Sequence, residues 1–309
     1  MPDLITHPAF IRQVIAHALD GRGFEEEVMW MVLGVGVFYL LVSLGLTYVV
    51  LNFPRNPVDD VPDWGRAEDL RIPAREGGTL ELWRVEPDGP SRGLVVLAHG
   101  WGRNRGRMVG RARVFAGMGF TTVMHSARDH GGSSRHPFMN GARFADDMES
   151  VLDWVGEPVL LYGHSISAAA AVIVAQRSPS KVRLLFLESC YARTKEALHS
   201  LYCNYNRFFG VFFSPMVITW MDIFWRGRLD QVSPVRLAPG IDIPVLIIHG
   251  DRDENFPLHH ATRLKESFPE GRAELFVAEG ADHSTPSLNP QYPQVVRAFV
   301  ERHLGAFPK

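Results

Sequence analysis

The chain has 309 residues, of which 46% are hydrophobic and 21% charged, and its formal net charge at pH 7 is −2. That balance lets a sizeable core form and argues against nucleic acid as the main partner. Two cysteines, Cys190 and Cys203, without a Cys-x-x-Cys or Cys/His cluster, exclude a disulfide scaffold and a zinc-binding pattern; a bond between the two and a pair of free thiols both stay open.

Residues 1–27 carry an apolar helical face of Phe10, Ile11, Val14, Ile15, Ala18 and Leu19, with Thr6 placed to cap the helix and Gly21 to end it. Such a helix lies along a membrane surface, pairs with another copy to make a homo-oligomer, or packs on the domain that follows. From Val28 to Phe53 no residue is charged. As a helix, Val28 to Val50 would reach about 34 Å, enough for the hydrocarbon core of a bilayer. Trp30 and Tyr48 stand near its ends, where amphipathic rings favour the interface, and Pro54 and Pro57 stop it. Glu25-Glu26-Glu27 ahead of the run, where a signal peptide has basic residues, and the length of the run both speak against a cleaved signal. The expectation is a single-pass transmembrane helix over 28–53, with a buried or dimer-forming helix as the alternative. Its orientation is undetermined, because Arg12 and Arg22 before it are matched by Arg55 and Arg66 after it.

Residues 54–68, rich in Pro and Asp, read as a linker. The rest, 69–309, reads as one α/β domain. Strands are expected at Leu70–Pro73, Leu80–Val85, Leu94–Ala98, Thr121–His125, Val159–Tyr162, Leu184–Leu187, Val245–Ile248 and Glu274–Val277, the later ones buried on both faces. Helices are expected at Met108–Met118, Ala145–Val155, Ala168–Gln176, His260–Ser267 and Gln291–Arg302. The alternation implies a mostly parallel sheet with helices on both sides. Between about 191 and 240 it is interrupted by Tyr202, Tyr205, Phe208, Phe209, Phe212, Phe213, Trp220, Phe224 and Trp225 at helical spacing. This reads as a helical cap, whose rings form its own core, line an apolar pocket, or do both.

The richest local signal is Val159-Leu160-Leu161-Tyr162-Gly163-His164-Ser165-Ile166-Ser167, an apolar strand that meets a glycine, a serine and then a small-residue helix. This is the pattern of a nucleophile elbow, whose strained turn pushes the serine hydroxyl out of the protein. The usual form is G-x-S-x-G, and Ser167 replaces the last glycine. A serine needs a base and a group that orients the base. Val245–Ile248 runs into His249-Gly250-Asp251-Arg252-Asp253, and Glu274–Val277 is followed by Gly280-Ala281-Asp282-His283.

These segments together resemble the α/β-hydrolase fold family, in the serine hydrolases with an HG…GxSxG…HGxxD…GxxH layout, over about residues 69 to 305. The resemblance implies an eight-stranded, mostly parallel sheet flanked by helices, with Ser165 as nucleophile, His283 as base and Asp253 as acid. Asp251 is the nearest alternative for the acid, and Glu188, at the end of the preceding strand, is another. The oxyanion donors it implies are the backbone N–H of Ile166, directly after the nucleophile, and of Trp101, directly after His99-Gly100. His99 then braces the loop, the strand-four loop Ser126–Ser133 is structural, and His125, His164, His249, His259 and His260 are packing or solvated residues. Arg103, Arg105, Arg107, Arg111 and Arg113 read as a solvated helix face, with lipid headgroups or an anionic substrate as the alternative.

The expected activity is that of a carboxylesterase-, lipase- or thioesterase-like serine hydrolase acting through an acyl-enzyme, with no metal or organic cofactor. The aromatic segment and the apolar helix favour a lipid-like acyl substrate near a membrane. Amidase, peptidase and acyltransferase chemistry use the same triad and stay open. A non-catalytic membrane-anchored scaffold is the alternative of a different class.

Overall fold

Alternation within single strands sets the layering. In β3 (Leu94–Ala98), Val95 and Leu97 pack to one side with Met108, Phe115 and Phe299, while Val96 and Ala98 pack to the other with Phe144, Met148 and Ala170. β5 (Val159–His164) divides the same way, Leu160 and Tyr162 against Val159 and Leu161. Strands apolar at every position must be covered on both faces.

The computed structural model describes residue 12 and residues 21–52 and 55–305. The other strands are β1 (Arg66–Pro73), β2 (Thr79–Glu86), β4 (Thr121–His125), β6 (Val182–Glu188), β7 (Val245–Gly250) and β8 (Ala273–Ala278). They form one eight-stranded sheet in the order β1-β2-β4-β3-β5-β6-β7-β8. β2 pairs antiparallel with β1 and β4, and the remaining pairs are parallel. The helices are α1 (Gly21–Leu51), α2 (Val109–Ala116), α3 (Gly141–Val155), α4 (Ile166–Arg177), α5 (Thr194–Tyr205), α6 (Arg207–Phe212), α7 (Ser214–Phe224), α8 (Pro234–Leu237), α9 (His259–Ser267) and α10 (Tyr292–Leu304). α2 and α10 cover one face, and α3, α4 and α9 cover the other. This is the fold expected from the sequence. The strand order reverses between β3 and β5, so the crevice that α/β sheets use for ligands lies at the carboxyl ends of those two strands.

The differences from expectation have local causes. β1 begins at Arg66, inside the stretch read as linker, because its full length pairs with β2 from Arg66↔Glu86 to Pro73↔Thr79. Its first half is an exposed, polar edge and carries no apolar signal. β8 is the opposite edge and only partly buried, not covered on both faces. α3 starts at Gly141 because the Asn140 side chain accepts from the Arg143 N–H at 3.0 Å, an N-cap that the apolar pattern alone does not mark. Cys190 and Cys203 are free thiols.

The chain falls into two compact units that divide between Val49 and Val50. The first is dominated by α1, in which Gly23–Leu51 is long and apolar enough to cross a membrane. Gly21 and Glu25–Glu27 belong to the same helix as the apolar run. The helix expected over about 10–19 lies outside the described residues, Arg12 apart. Trp30, Leu33, Val35, Phe38, Leu41 and Tyr48 are all exposed along α1. Ser43 and Thr47 return their hydroxyls to the carbonyls of Leu40 and Ser43, both at 2.8 Å, so neither needs water.

Candidate active site

At the end of β5 the backbone turns sharply into α4. Ser165, at the turn, has φ 58 and ψ −121, a conformation that a side-chain-bearing residue adopts only when its surroundings impose it. Two features impose it here. The Ser165 N–H donates to the Glu188 carbonyl at 2.9 Å. Gly163 lets strand and helix close up, since a Cβ there would stand 2.3 Å from the Ser167 carbonyl oxygen.

The loops after β7 and β8 bring the other two side chains to Ser165. His283 Nε2 lies 3.0 Å from Ser165 Oγ, and His283 Nδ1 lies 2.8 Å from Asp253 Oδ2. An ionised carboxylate only accepts, so Nδ1 carries the proton and Nε2 presents its lone pair to the serine hydroxyl. The Asp253 side chain is buried, and its other oxygen accepts from the Phe256 N–H at 2.8 Å. Phe256 meets the imidazole edge-on with ring centroids 4.8 Å apart. The two alternative acids are engaged elsewhere. Asp251 accepts from the Gly280 N–H at 2.7 Å, and Glu188 is paired with Arg111.

The loop after β3 closes the site on the other side. Gly100 approaches so closely that a Cβ would stand 3.1 Å from Ser165 Cβ and 2.9 Å from His164 Nδ1. Trp101 therefore follows a residue in contact with the serine, and Ile166 is the first residue of α4, whose leading N–H groups have no partner within the helix. His99 accepts from the Ala127 N–H at 3.0 Å and donates Nδ1–H to the Gly100 carbonyl at 2.7 Å. Burial holds its pKa well below the ordinary histidine value, which suits a brace.

A family model described as "Serine aminopeptidase, S33" matches residues 89–233. Over 280 residues the chain is 30% identical to the monoglyceride lipase of Homo sapiens, across 78% of this chain and 88% of that protein. The chain belongs to the α/β-hydrolase family. Among solved structures, it is similar to an esterase of Pyrococcus furiosus, with a TM-score of 0.64 and 20% identity across 82% of this chain and 99% of that one. It is also similar to a bacterial membrane phospholipase A, with a TM-score of 0.59 and 18% identity across 93% of this chain and 100% of that one. At these identities the two likenesses are of fold.

Within this α/β-hydrolase the loop of His283 is held by groups that the sequence reading missed. The His283 carbonyl accepts from His164 Nε2–H at 3.0 Å and from the Ser189 hydroxyl at 2.9 Å. The next carbonyl, of Ser284, accepts from Arg107 at 2.6 Å. Burial pushes the His164 pKa down to about 3, so it stays neutral and keeps its donor proton in place. Arg111 forms a bidentate pair with Glu188 at 2.5 and 2.7 Å, and the Tyr162 hydroxyl donates to the same carboxylate at 2.9 Å. Burial alone would raise the Glu188 pKa; the Arg111 charge overrides it and holds the carboxyl down to about 2. The solvated arginine face expected from sequence is thus corrected. Arg105 and Arg111 are buried, and Arg105 pairs with Asp69 at 2.7 Å. The spacing of Arg107 and Arg111, one helical turn apart, and an acid closing an apolar strand were the available signals.

The segment between β6 and β7 forms α5 to α8 and reaches the acid loop through Asn204, which donates to Asn255 at 2.8 Å. Tyr202 is buried against Phe209, whereas Tyr205, Phe208, Phe212 and Phe224 are exposed. Glu196, His259 and His260 bring ligand-type atoms within 4.8 Å of one another. Glu196 is already paired, with Arg263 donating to it at 2.6 Å, and His260 Nδ1 accepts from the Ala192 N–H at 3.2 Å. The second bond puts the His260 proton on Nε2 and removes that lone pair from any metal.

Proposed function

We propose that this protein is a serine hydrolase that cleaves carboxylic esters or thioesters of apolar acyl groups through an acyl-enzyme. The observation that carries the reading is the continuous relay from Asp253 through His283 to Ser165. Ser165 Oγ attacks the acyl carbonyl as His283 Nε2 takes its proton. Asp253 holds the tautomer and stabilises the imidazolium. The N–H groups of Trp101 and Ile166 receive the developing oxyanion. His283 then protonates the leaving group and activates the water that releases the acid. These steps use only the chain's own residues.

The acyl preference is supported by the names of relatives, a monoglyceride lipase and a membrane phospholipase A, and by the exposed rings on α5 to α7. α1 serves in this reading as a single-pass anchor that keeps the domain at a membrane carrying its substrate. The test is a substrate series: p-nitrophenyl esters from two to sixteen carbons, an acyl thioester and a p-nitroanilide. kcat/KM is expected to rise with chain length, and the anilide to be turned over far more slowly. Preference for the anilide would instead support a peptidase, in line with the description of the matching family model.

A further inference from the structure

The stretch of chain directly after α1 is docked on the loop that carries Trp101. The Asn56 N–H donates to the Gly102 carbonyl at 2.7 Å, and Arg103 donates back to the Asn56 carbonyl at 3.2 Å. The Val58 N–H donates to Asn104 Oδ1 at 2.9 Å. The Arg55 guanidinium lies over the Trp101 indole, 4.6 Å from the ring centroid. It is itself fixed by Asp129, whose carboxylate and carbonyl accept from it at 2.5 and 3.2 Å. Gly106 completes the fit, since a Cβ there would stand 2.2 Å from the Val58 carbonyl oxygen. A spacer that only tethered α1 would need none of these contacts.

Their position gives them a task. Upstream of Trp101 the loop is tied down by His99 and by the Ser167 hydroxyl, which donates to the His99 carbonyl. Downstream it is tied down by Asn56 and Val58, on Gly102 and Asn104. Between them the Trp101 peptide is flanked by Gly100 and Gly102, the latter at φ 74, and glycines rotate freely when released. An oxyanion donor helps only when it is aimed before the reaction. We propose that Arg55 and Asn56 are positioning residues that aim the Trp101 N–H, so that the segment leaving α1 holds part of the oxyanion site in register. This rests on Trp101 being an oxyanion donor.

The experiment uses the full chain in detergent micelles and compares Arg55→Ala, Arg55→Lys and Asn104→Ala with wild type, with Arg66→Ala as a control for the loss of a nearby surface charge. Active sites are counted at the endpoint of fluorophosphonate labelling, and kcat, KM and the pH–rate profile are measured per counted site. Removing an oxyanion donor outright costs about 10²–10³ in kcat. A misaimed donor should cost less, and Arg55→Ala is expected to lower kcat about tenfold with KM within twofold and an unmoved pH midpoint. Asn104→Ala should behave in the same way, Arg55→Lys should fall between, and Arg66→Ala should match wild type. A per-site kcat within twofold of wild type, or a loss confined to the number of active sites, overturns the proposal. So does a shifted pH midpoint, which would place the damage at His283. If Arg55→Ala does not fold, Asn104→Ala decides. Labelling that persists in Ser165→Ala would defeat the functional reading and the proposal with it, whereas an unchanged per-site kcat in Arg55→Ala and Asn104→Ala with labelling confined to Ser165 overturns the proposal alone.

Discussion

The hydroxyl of Ser167 donates to the carbonyl oxygen of His99 and so joins the strained turn at Ser165 to the loop after β3. Ser167 is buried, so this bond satisfies an acceptor that water cannot reach. The departure from the usual glycine is therefore a contact and not merely a tolerated bulge. Replacing Ser167 with Gly or Ala leaves the His99 carbonyl unpaired, at a cost of about 1–3 kcal/mol. We expect a lower melting temperature for both variants and a several-fold drop in kcat per active site. Unchanged melting and unchanged kcat would show that the bond does not matter.

The Arg111–Glu188 pair lies fully inside the fold, next to the carbonyl that receives the Ser165 N–H. Removing one partner strands a buried charge, which typically costs about 3–5 kcal/mol. Arg111→Met alone should be strongly destabilising. Arg111→Met with Glu188→Gln should recover part of that loss, and denaturant unfolding of the double-mutant cycle would show it as non-additivity. Strict additivity would mean that the two side chains act separately.

Arg107 makes a different prediction, because its guanidinium is only partly buried and it grips the backbone beside His283. Arg107→Ala should lower kcat several-fold while shifting the unfolding midpoint little. Steady-state kinetics paired with thermal melts separates this from a general loss of stability, which would move both together.

Acid should weaken the fold before ordinary carboxylates titrate. Burial holds His99 well below 6.5, His125 and His130 down to about 4, and His164 down to about 3. A folded value below the unfolded one means that only the unfolded chain takes up these protons between the two. The stabilisation is therefore complete above about 6.5 and is lost as pH falls towards 4, at about 1.4 kcal/mol per pH unit for each histidine. Asp147 works in the opposite sense: burial raises it to about 6, opposed by Arg128, so it offsets one histidine. Urea midpoints should hold level from pH 8 to about 6.5 and decline from there to pH 5; a profile flat down to pH 5 would contradict these burial effects.

The layers, seven of the eight strands' interiors and the chain order of Ser165, Asp253 and His283 could be read from the sequence, because each rests on a local pattern: an apolar strand, a glycine turn, a loop at a strand end. What could not be read was set by distant partners. The polar first half of β1 is fixed by pairing with β2, and the fates of Arg105, Arg107 and Arg111 by Asp69, Ser284 and Glu188. The clamp of Asn56 on Gly102 likewise joins a proline-rich stretch to a loop with no shared sequence signature. From sequence His164 reads as a packing residue, because its partner is a backbone carbonyl, which no side-chain motif records.

Mass spectrometry of the full-length chain after reaction with a fluorophosphonate asks directly whether Ser165 is the reactive residue. One adduct is expected, on Ser165, absent from Ser165→Ala and formed far more slowly in His283→Ala. No adduct on the wild-type chain, or one that survives in Ser165→Ala, would contradict this assignment.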